Sequence, residues 1–137
     1  MAHSIAKKDY VEFDGVDISN DCNGVHPNLT KDQVDASGFS STGKRTLLAG
    51  QETNEVTLDL FWTPTVHGLI YQAYQGETAV DFVWRPDVNN AVGPNNPELR
   101  GTVNVFNYPP EAVYGEVRRF SVTLSAADEG GLVFYET

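Results

Sequence analysis

Four stretches of the chain alternate apolar and polar residues at every second position, the imprint of a strand with one buried face. The clearest spans 54–62, where Val56, Leu58, Leu60 and Trp62 share one side and Glu55, Thr57 and Asp59 the other. A second covers about 79–85, with Val80, Phe82 and Trp84 on its apolar side. A third, about 100–107, sets Val103 and Val105 against Thr102, Asn104 and Phe106. The fourth, about 117–125, takes Val117, Phe120, Val122 and Leu124 as apolar positions and breaks its alternation at Arg118. Weaker strand candidates lie at 9–18 and roughly 23–36, where Pro27 points to an edge position or a bulge. Only one segment has a helical period. Val66, Leu69, Ile70, Ala73 and Tyr74 recur at i, i+3, i+4, i+7 and i+8, which gives one apolar stripe. Thr63 is placed to cap this helix, Pro64 to open it and Gly76 to end it. Gly68 weakens it by about 1 kcal/mol relative to alanine, so packing must hold it in place.

Two segments lack periodicity. Residues 37–50 form a long polar stretch that carries Phe39, Leu47 and Leu48, and residues 86–98 hold three prolines and four asparagines and read as a solvated excursion. Loops of that length in a compact domain usually have a task or are disordered. The elements predict an all-β-dominated sandwich or barrel with one flanking helix over about 64–75 and a long inter-strand loop over about 37–50. The 137 residues fit a single domain over 1–137, with arms at 1–9 and 128–137 as further candidates.

Charge narrows the function classes. Nine Lys+Arg against nineteen Asp+Glu leave a formal net charge of −10. A nucleic-acid clamp needs clustered cations, and so does docking on an anionic membrane, so both are disfavoured. No apolar run is long enough to span a bilayer. Lys7 and Lys8 are not followed by an apolar stretch, so the start does not read as a secretory signal. The single cysteine, Cys22, forms neither an internal disulfide nor a multi-thiolate zinc site.

The candidate chemistry fails in each case on its required context. Gly38 to Lys44 has the glycine and lysine spacing of a phosphate-binding loop, but Arg45 stands where the Mg²⁺-binding hydroxyl belongs. Asp14, Asp17, Ser19, Asp21 and Asn23 suggest a calcium loop. Counted from Asp17, however, the sixth position is Cys22 and the twelfth is Asn28, not glycine and glutamate. A looser oxygen cage stays open beside the plain reading of a solvated acidic turn. His3, His26 and His67 are scattered without metal-ligand spacing, and no nucleophile elbow accompanies them. Asn28-Leu29-Thr30 fits a glycosylation acceptor without any sign of export. Trp62 and Trp84 sit on apolar faces and read as core, and Cys22 reads as a free or buried thiol. The expectation is no enzyme, no metal and no cofactor.

The order of motifs resembles the tail tube (major tail) proteins of long-tailed bacteriophages. The resemblance is carried by Val34-Asp-Ala-Ser-Gly-Phe39, Gly43-Lys-Arg-Thr-Leu-Leu-Ala-Gly50 and Val56-Thr-Leu-Asp-Leu60. After the helix come Val80-Asp-Phe-Val-Trp-Arg-Pro86, Asn96-Pro-Glu-Leu-Arg-Gly-Thr-Val103, Tyr108-Pro-Pro110 and Phe120-Ser-Val-Thr-Leu124. It covers roughly residues 10–127. Ser37 departs mildly from the commoner threonine, and the tail after Ala127 has no clear counterpart. The resemblance implies a structural protein of the virion, assembled in the bacterial host cytoplasm. It implies hexameric rings stacked as a tube that conducts the genome, with other tail proteins at the tube ends. DNA would pass without tight binding, and an acidic wall suits that task because it repels phosphates. Two rival readings remain: a related tube protein of a contractile tail or secretion machine, and a monomeric sandwich-type binding module.

The resemblance makes the 37–50 stretch the loop that reaches a neighbouring ring. Phe39, Lys44, Arg45, Leu47 and Leu48 are its candidate contacts. Apolar residues in a polar loop gain about 1.5–3 kcal/mol each when fully buried against a partner. Glu55, Thr57, Asp59, Arg119, Ser121 and Thr123 form polar strand faces that either line the lumen or face outwards. Alternation leaves that choice open.

Overall fold

The computed structural model describes residues 8–35, 43, 47–76, 78–127 and 131–136. In chain order they form strands β1 (Tyr10–Phe13), β2 (Val16–Asp17) and β3 (Cys22–Asp35), the last preceded by a short 3₁₀ turn (Ser19–Asp21). β4 (Leu47–Phe61), helix α1 (Pro64–Gln75), β5 (Val80–Arg85), β6 (Glu98–Val105), β7 (Arg119–Ala126) and β8 (Val133–Tyr135) follow. All eight strands belong to one antiparallel sheet in the order β2-β1-β5-β6-β7-β4-β3, with β8 on β6. The sheet does not close. Its borders are the two-residue β2 and the fourteen-residue β3.

One core serves the whole sheet. Val11 and Phe13 from β1, Phe82 from β5 and Leu99, Val103 and Val105 from β6 pack with Val56, Leu58 and Leu60 of β4 and Phe120, Val122 and Leu124 of β7. Strands from both ends of the order thus bury side chains in the same cluster, so the sheet must curl around it. The helix covers this cluster with Val66 and Ile70, with Leu69 and Ala73 packed beside them. Its cap is as expected: Thr63 Oγ1 accepts from the Val66 N–H at 3.1 Å, and Gly76 N–H returns to Gln72 O. Tyr74, the last member of the predicted stripe, is exposed.

Several expectations need correction. Residues 47–50 are not loop but the start of β4, which runs fifteen residues. Their partner, the weak candidate at 23–36, is the longest neighbour of β4, and Pro27 lies on this border strand as its missing N–H demands. Val117 is exposed and outside β7, and Phe106 is exposed past the end of β6. Trp62 and Trp84 are half-buried beside the core, not within it. The 86–98 excursion is held by Asn96, which is 6% exposed. Its Oδ1 accepts from Asp87 N–H, and its Nδ2 donates to the carbonyls of Asp87, Asn90 and Ala91.

The C-terminal segment docks at a split in β6. One border of β6 pairs with β8 at Glu98–Arg100 and with β7 at Val103–Val105. Between these, a Cβ on Gly101 would lie 2.6 Å from Leu132 Cδ2 and 2.7 Å from Gly131 O. Only glycine lets residues 131–132 cross there and bury Leu132. Asn54 receives that crossing: with its amide oriented to satisfy both ends, Oδ1 accepts from Leu132 N–H at 3.1 Å. The prediction is a pair of opposite effects in urea unfolding. Gly101→Ala should destabilise by about 1–3 kcal/mol through overpacking. Gly68→Ala, where an added Cβ meets nothing within 4 Å, should stabilise by up to about 1 kcal/mol. Equal responses at both sites would contradict the packing described.

Candidate functional site

The six polar-face candidates come together on one side of the sheet. Because β4 and β7 pair in register, Thr57 lies opposite Thr123, Asp59 opposite Ser121 and Phe61 opposite Arg119, while Glu55 faces Ser125. Their neighbours in sequence, Val56, Leu58, Leu60, Phe120, Val122 and Leu124, point into the core, so alternation sends this set to the other face. β3 extends the same face with His26 opposite Thr57 and Asn28 opposite Glu55.

Asp59 is the most constrained group there. Its Oδ1 accepts from Ser121 Oγ at 2.5 Å and its Oδ2 from His26 Nε2 at 2.9 Å. A Cβ on the opposing Gly24 would sit 2.7 Å from that Oδ2 and 3.0 Å from the imidazole, so the glycine makes room for the pair. The Ser121 hydrogen bond, then the His26 hydrogen bond, hold the carboxyl below the ordinary aspartate range against a smaller opposing effect of burial. Thr57 and Thr123 hydroxyls meet at 3.3 Å in the next row. The carboxylate stands between the serine and the histidine, so the order differs from a Ser–His–Asp triad, in which the imidazole contacts the serine hydroxyl. The row is a cross-strand tie with a fixed negative charge. Among the described residues no cluster of His, Cys, Asp and Glu has the arrangement to hold a metal. Cys22 is half-buried, and loss of water pushes its thiol up to about 11, which keeps it protonated and unreactive at neutral pH.

Beyond residue 54 the β3–β4 pair leaves the core. Residues 28–35 and 47–53 are exposed on both strands, and at about 3.4 Å per residue this ribbon extends roughly 20 Å. It contains a bulge where Lys31 pairs with Glu52 but Gln33 pairs with Ala49, which places an extra residue in β4. The shift sets Leu48 opposite Val34 on one face and Leu47 opposite Asp35 on the other. The two leucines, 47% and 54% exposed, therefore cannot meet one surface together. Phe39, Lys44 and Arg45 lie outside the described residues.

Sequence reasoning missed the other strong polar node. Glu98 is 5% exposed and takes Arg85 Nη1 on Oε2 at 2.8 Å and Arg100 Nε on Oε1. Each guanidinium lies over a tyrosine ring, Arg85 over Tyr10 at 5.2 Å and Arg100 over Tyr135 at 4.5 Å. The node thereby ties β1, β5, β6 and β8 together. Glu98 and Arg100 are two apart on one strand, a signal visible in sequence, but Arg85 and the tyrosines arrive only through pairing.

No protein-family model matches the chain, and neither does any curated protein sequence. Solved structures do. A chain of the virion of a native gene transfer agent particle superposes with a TM-score of 0.76 at 14% identity, covering 97% of this chain and 99% of that one. A chain of the SPP1 tail tube gives 0.69 at 13% identity over 95% and 76%. One from the extended sheath–tube complex of the PVC contractile injection system gives 0.68 at 12% over 95% and 89%. Identities this low establish a common fold, and the fold they share is that of chains from tails and tubes.

Asp59 supplies a prediction. Its stabilisation is fully present above the unfolded carboxyl pKa and is lost as pH falls through the lower folded value. Wild type should be more stable than Asp59→Asn at pH 7, and the gap in urea midpoint should narrow as pH falls below the ordinary carboxyl range. A gap that stays constant through that fall would contradict the tie.

Proposed function

We propose that the chain is a structural subunit that self-assembles into hexameric rings stacked as a tail tube, with the β3–β4–β7 polar face towards the lumen. The observation that carries this reading is the open sheet. Its β3 border is fourteen residues long and, among the described residues, pairs with β4 on one side only. A border of that length is an association hazard unless a partner completes it, and copies arranged around an axis do so by joining their sheets. The fold shared with the SPP1 tail tube and gene transfer agent chains supports the same arrangement, and one of the related tails was solved with C6 symmetry.

The lumen assignment follows from what the other face does. One side of β4 and β7 is consumed by the core, so the opposite side, with Glu55, Asp59 and the hydroxyl row, is the surface available to a water-filled bore. Fixed carboxylates there repel a passing phosphate backbone, which lets DNA slide without being held. The projecting ribbon carries the contact to the next ring. In this reading the apolar Val34–Leu48 pair is the contacting face, because its burial is favourable, whereas Leu47 shares its face with Asp35. A tube of a contractile injection machine is the second reading, favoured by the likeness to chains of the PVC sheath–tube complex and the anti-feeding prophage baseplate.

Negative-stain imaging of concentrated protein, or of the particles that contain it, tests the proposal. Annular or tubular species with a hollow axis are expected, and Leu48→Asp should shorten or abolish tubes while Leu47→Asp does so less. Protein that stays solitary in both settings would overturn the reading. Normal tubes from Leu48→Asp would overturn only the ribbon assignment.

A further inference from the structure

The segment between β6 and β7 combines a rigid foot with an apolar tip that has nothing to pack on. Its foot is fixed by Tyr108, whose Oη accepts from Trp62 Nε1 at 2.9 Å, bonds His67 Nδ1 at 2.8 Å and whose ring meets Phe120 edge-on at 5.3 Å. The return is fixed as well, since Arg118 O accepts from Trp62 N–H at 2.8 Å. Between these anchors a turn closes with Glu116 N–H donating to Val113 O at 3.0 Å. It presents Tyr114 fully exposed, flanked by Val113 and Val117 at 55% and 68% exposure. A soluble chain seldom holds a tyrosine out on a turn braced at both ends without a surface to receive it.

A receiving surface of matching chemistry lies beside the foot of the same segment. Trp62, His67, Tyr108, Pro110 and Ala112 line an open cavity of about 510 Å³, with Glu111 and Arg118 in its wall. Arg118 is poised over the Trp62 ring at 5.7 Å, and His67 stacks on Tyr71 at 5.3 Å, so the aromatic floor continues onto the exposed side of α1. The tip does not fill this cavity within its own chain, because Tyr114 stands clear of it in solvent.

We propose that the Tyr114 turn of one copy seats in the Trp62–His67–Tyr108 cavity of the next copy, as a head-to-tail contact. Knob and cavity adjoin on one segment, with Ala112 and Arg118 of the cavity flanking Val113 to Val117 of the knob, and the contact propagates around a ring or along a tube when each copy gives its knob to one neighbour and its cavity to another. The occupant is a second copy for two reasons. An aromatic ring edge suits the aromatic floor, and the acidic Glu116 beside the knob is complementary to Arg118 at the cavity, one of only nine Lys+Arg in a chain of net charge −10. The inference rests on the self-assembly reading and names one of its contacts.

The test is the protein concentration at which assemblies form, followed by sedimentation velocity and imaging. Tyr114→Ala should raise it by about ten-fold or more while leaving the urea unfolding curve unchanged, and Tyr114→Phe should restore most of the loss. Glu116→Arg and Arg118→Glu should each weaken assembly, and the two combined in one chain should recover it in part, because the charges then pair across copies in the reversed sense. Assembly of Tyr114→Ala at the wild-type concentration, or a double reversal no better than either single change, overturns this contact while the tube reading stands. A wild-type chain that never assembles overturns both.

Discussion

The structure depends on one constraint: a single sheet must bury the apolar face of its central strands on one side, and it does so by curling around one core without closing. Everything on the other side follows from that choice. The residues of β4 and β7 that do not reach the core are left as an in-register polar row, and, among the described residues, no strand meets the outer edge of β3, where alternate backbone groups point away from β4. The helix adds Val66 and Ile70 to the core, and the Glu98 node with its two arginines holds β5 and β6 together. The fold is therefore complete in its hydrophobic packing and incomplete in its hydrogen-bonding border.

Function follows from that incompleteness more directly than from any side-chain chemistry. The close arrangement of Ser121, Asp59 and His26 places the carboxylate in the middle, where donors on both sides hold it in its charged form. Its use is mechanical and electrostatic: it ties three strands and fixes a negative charge on the exposed face. Features of this kind suit a wall. Exposed apolar residues lie on the β3–β4 ribbon and the turn before β7, and also on β2, α1 and β8, apart from the β4–β7 polar row.

How much of this the sequence disclosed depended on whether a residue's neighbours were local. The helix was legible to the residue because its start and stop are set within one turn, by the Thr63 hydroxyl on Val66 N–H and by Gly76. The proximal half of β4 was legible because one of its faces is buried and imprints a period of two. The distal half was not, since both faces of the ribbon are in solvent and nothing constrains alternation there, and for the same reason β3 showed only as the weak candidate at 23–36. The polar set Glu55, Thr57, Asp59, Ser121 and Thr123 was found by alternation, but its partner His26 required the β3 register. The bulge between Ala49 and Glu52, which sets Leu48 opposite Val34, left no mark in the sequence, because an added residue changes register and facing and not composition. Glu98 with Arg85, and Tyr108 with Trp62 and His67, joined positions far apart in the chain and appeared only with the fold.

Hydrogen exchange along β3 tests the central claim most directly. The measurement compares its amides in the free chain and in assembled particles. Amides that point away from β4 should exchange freely in the solitary chain and become protected on assembly, while those bonded to β4 are protected in both. Outward amides of β3 that exchange equally fast in both states would show that no neighbour completes this border, and the account of the protein as a tube subunit would fail with it.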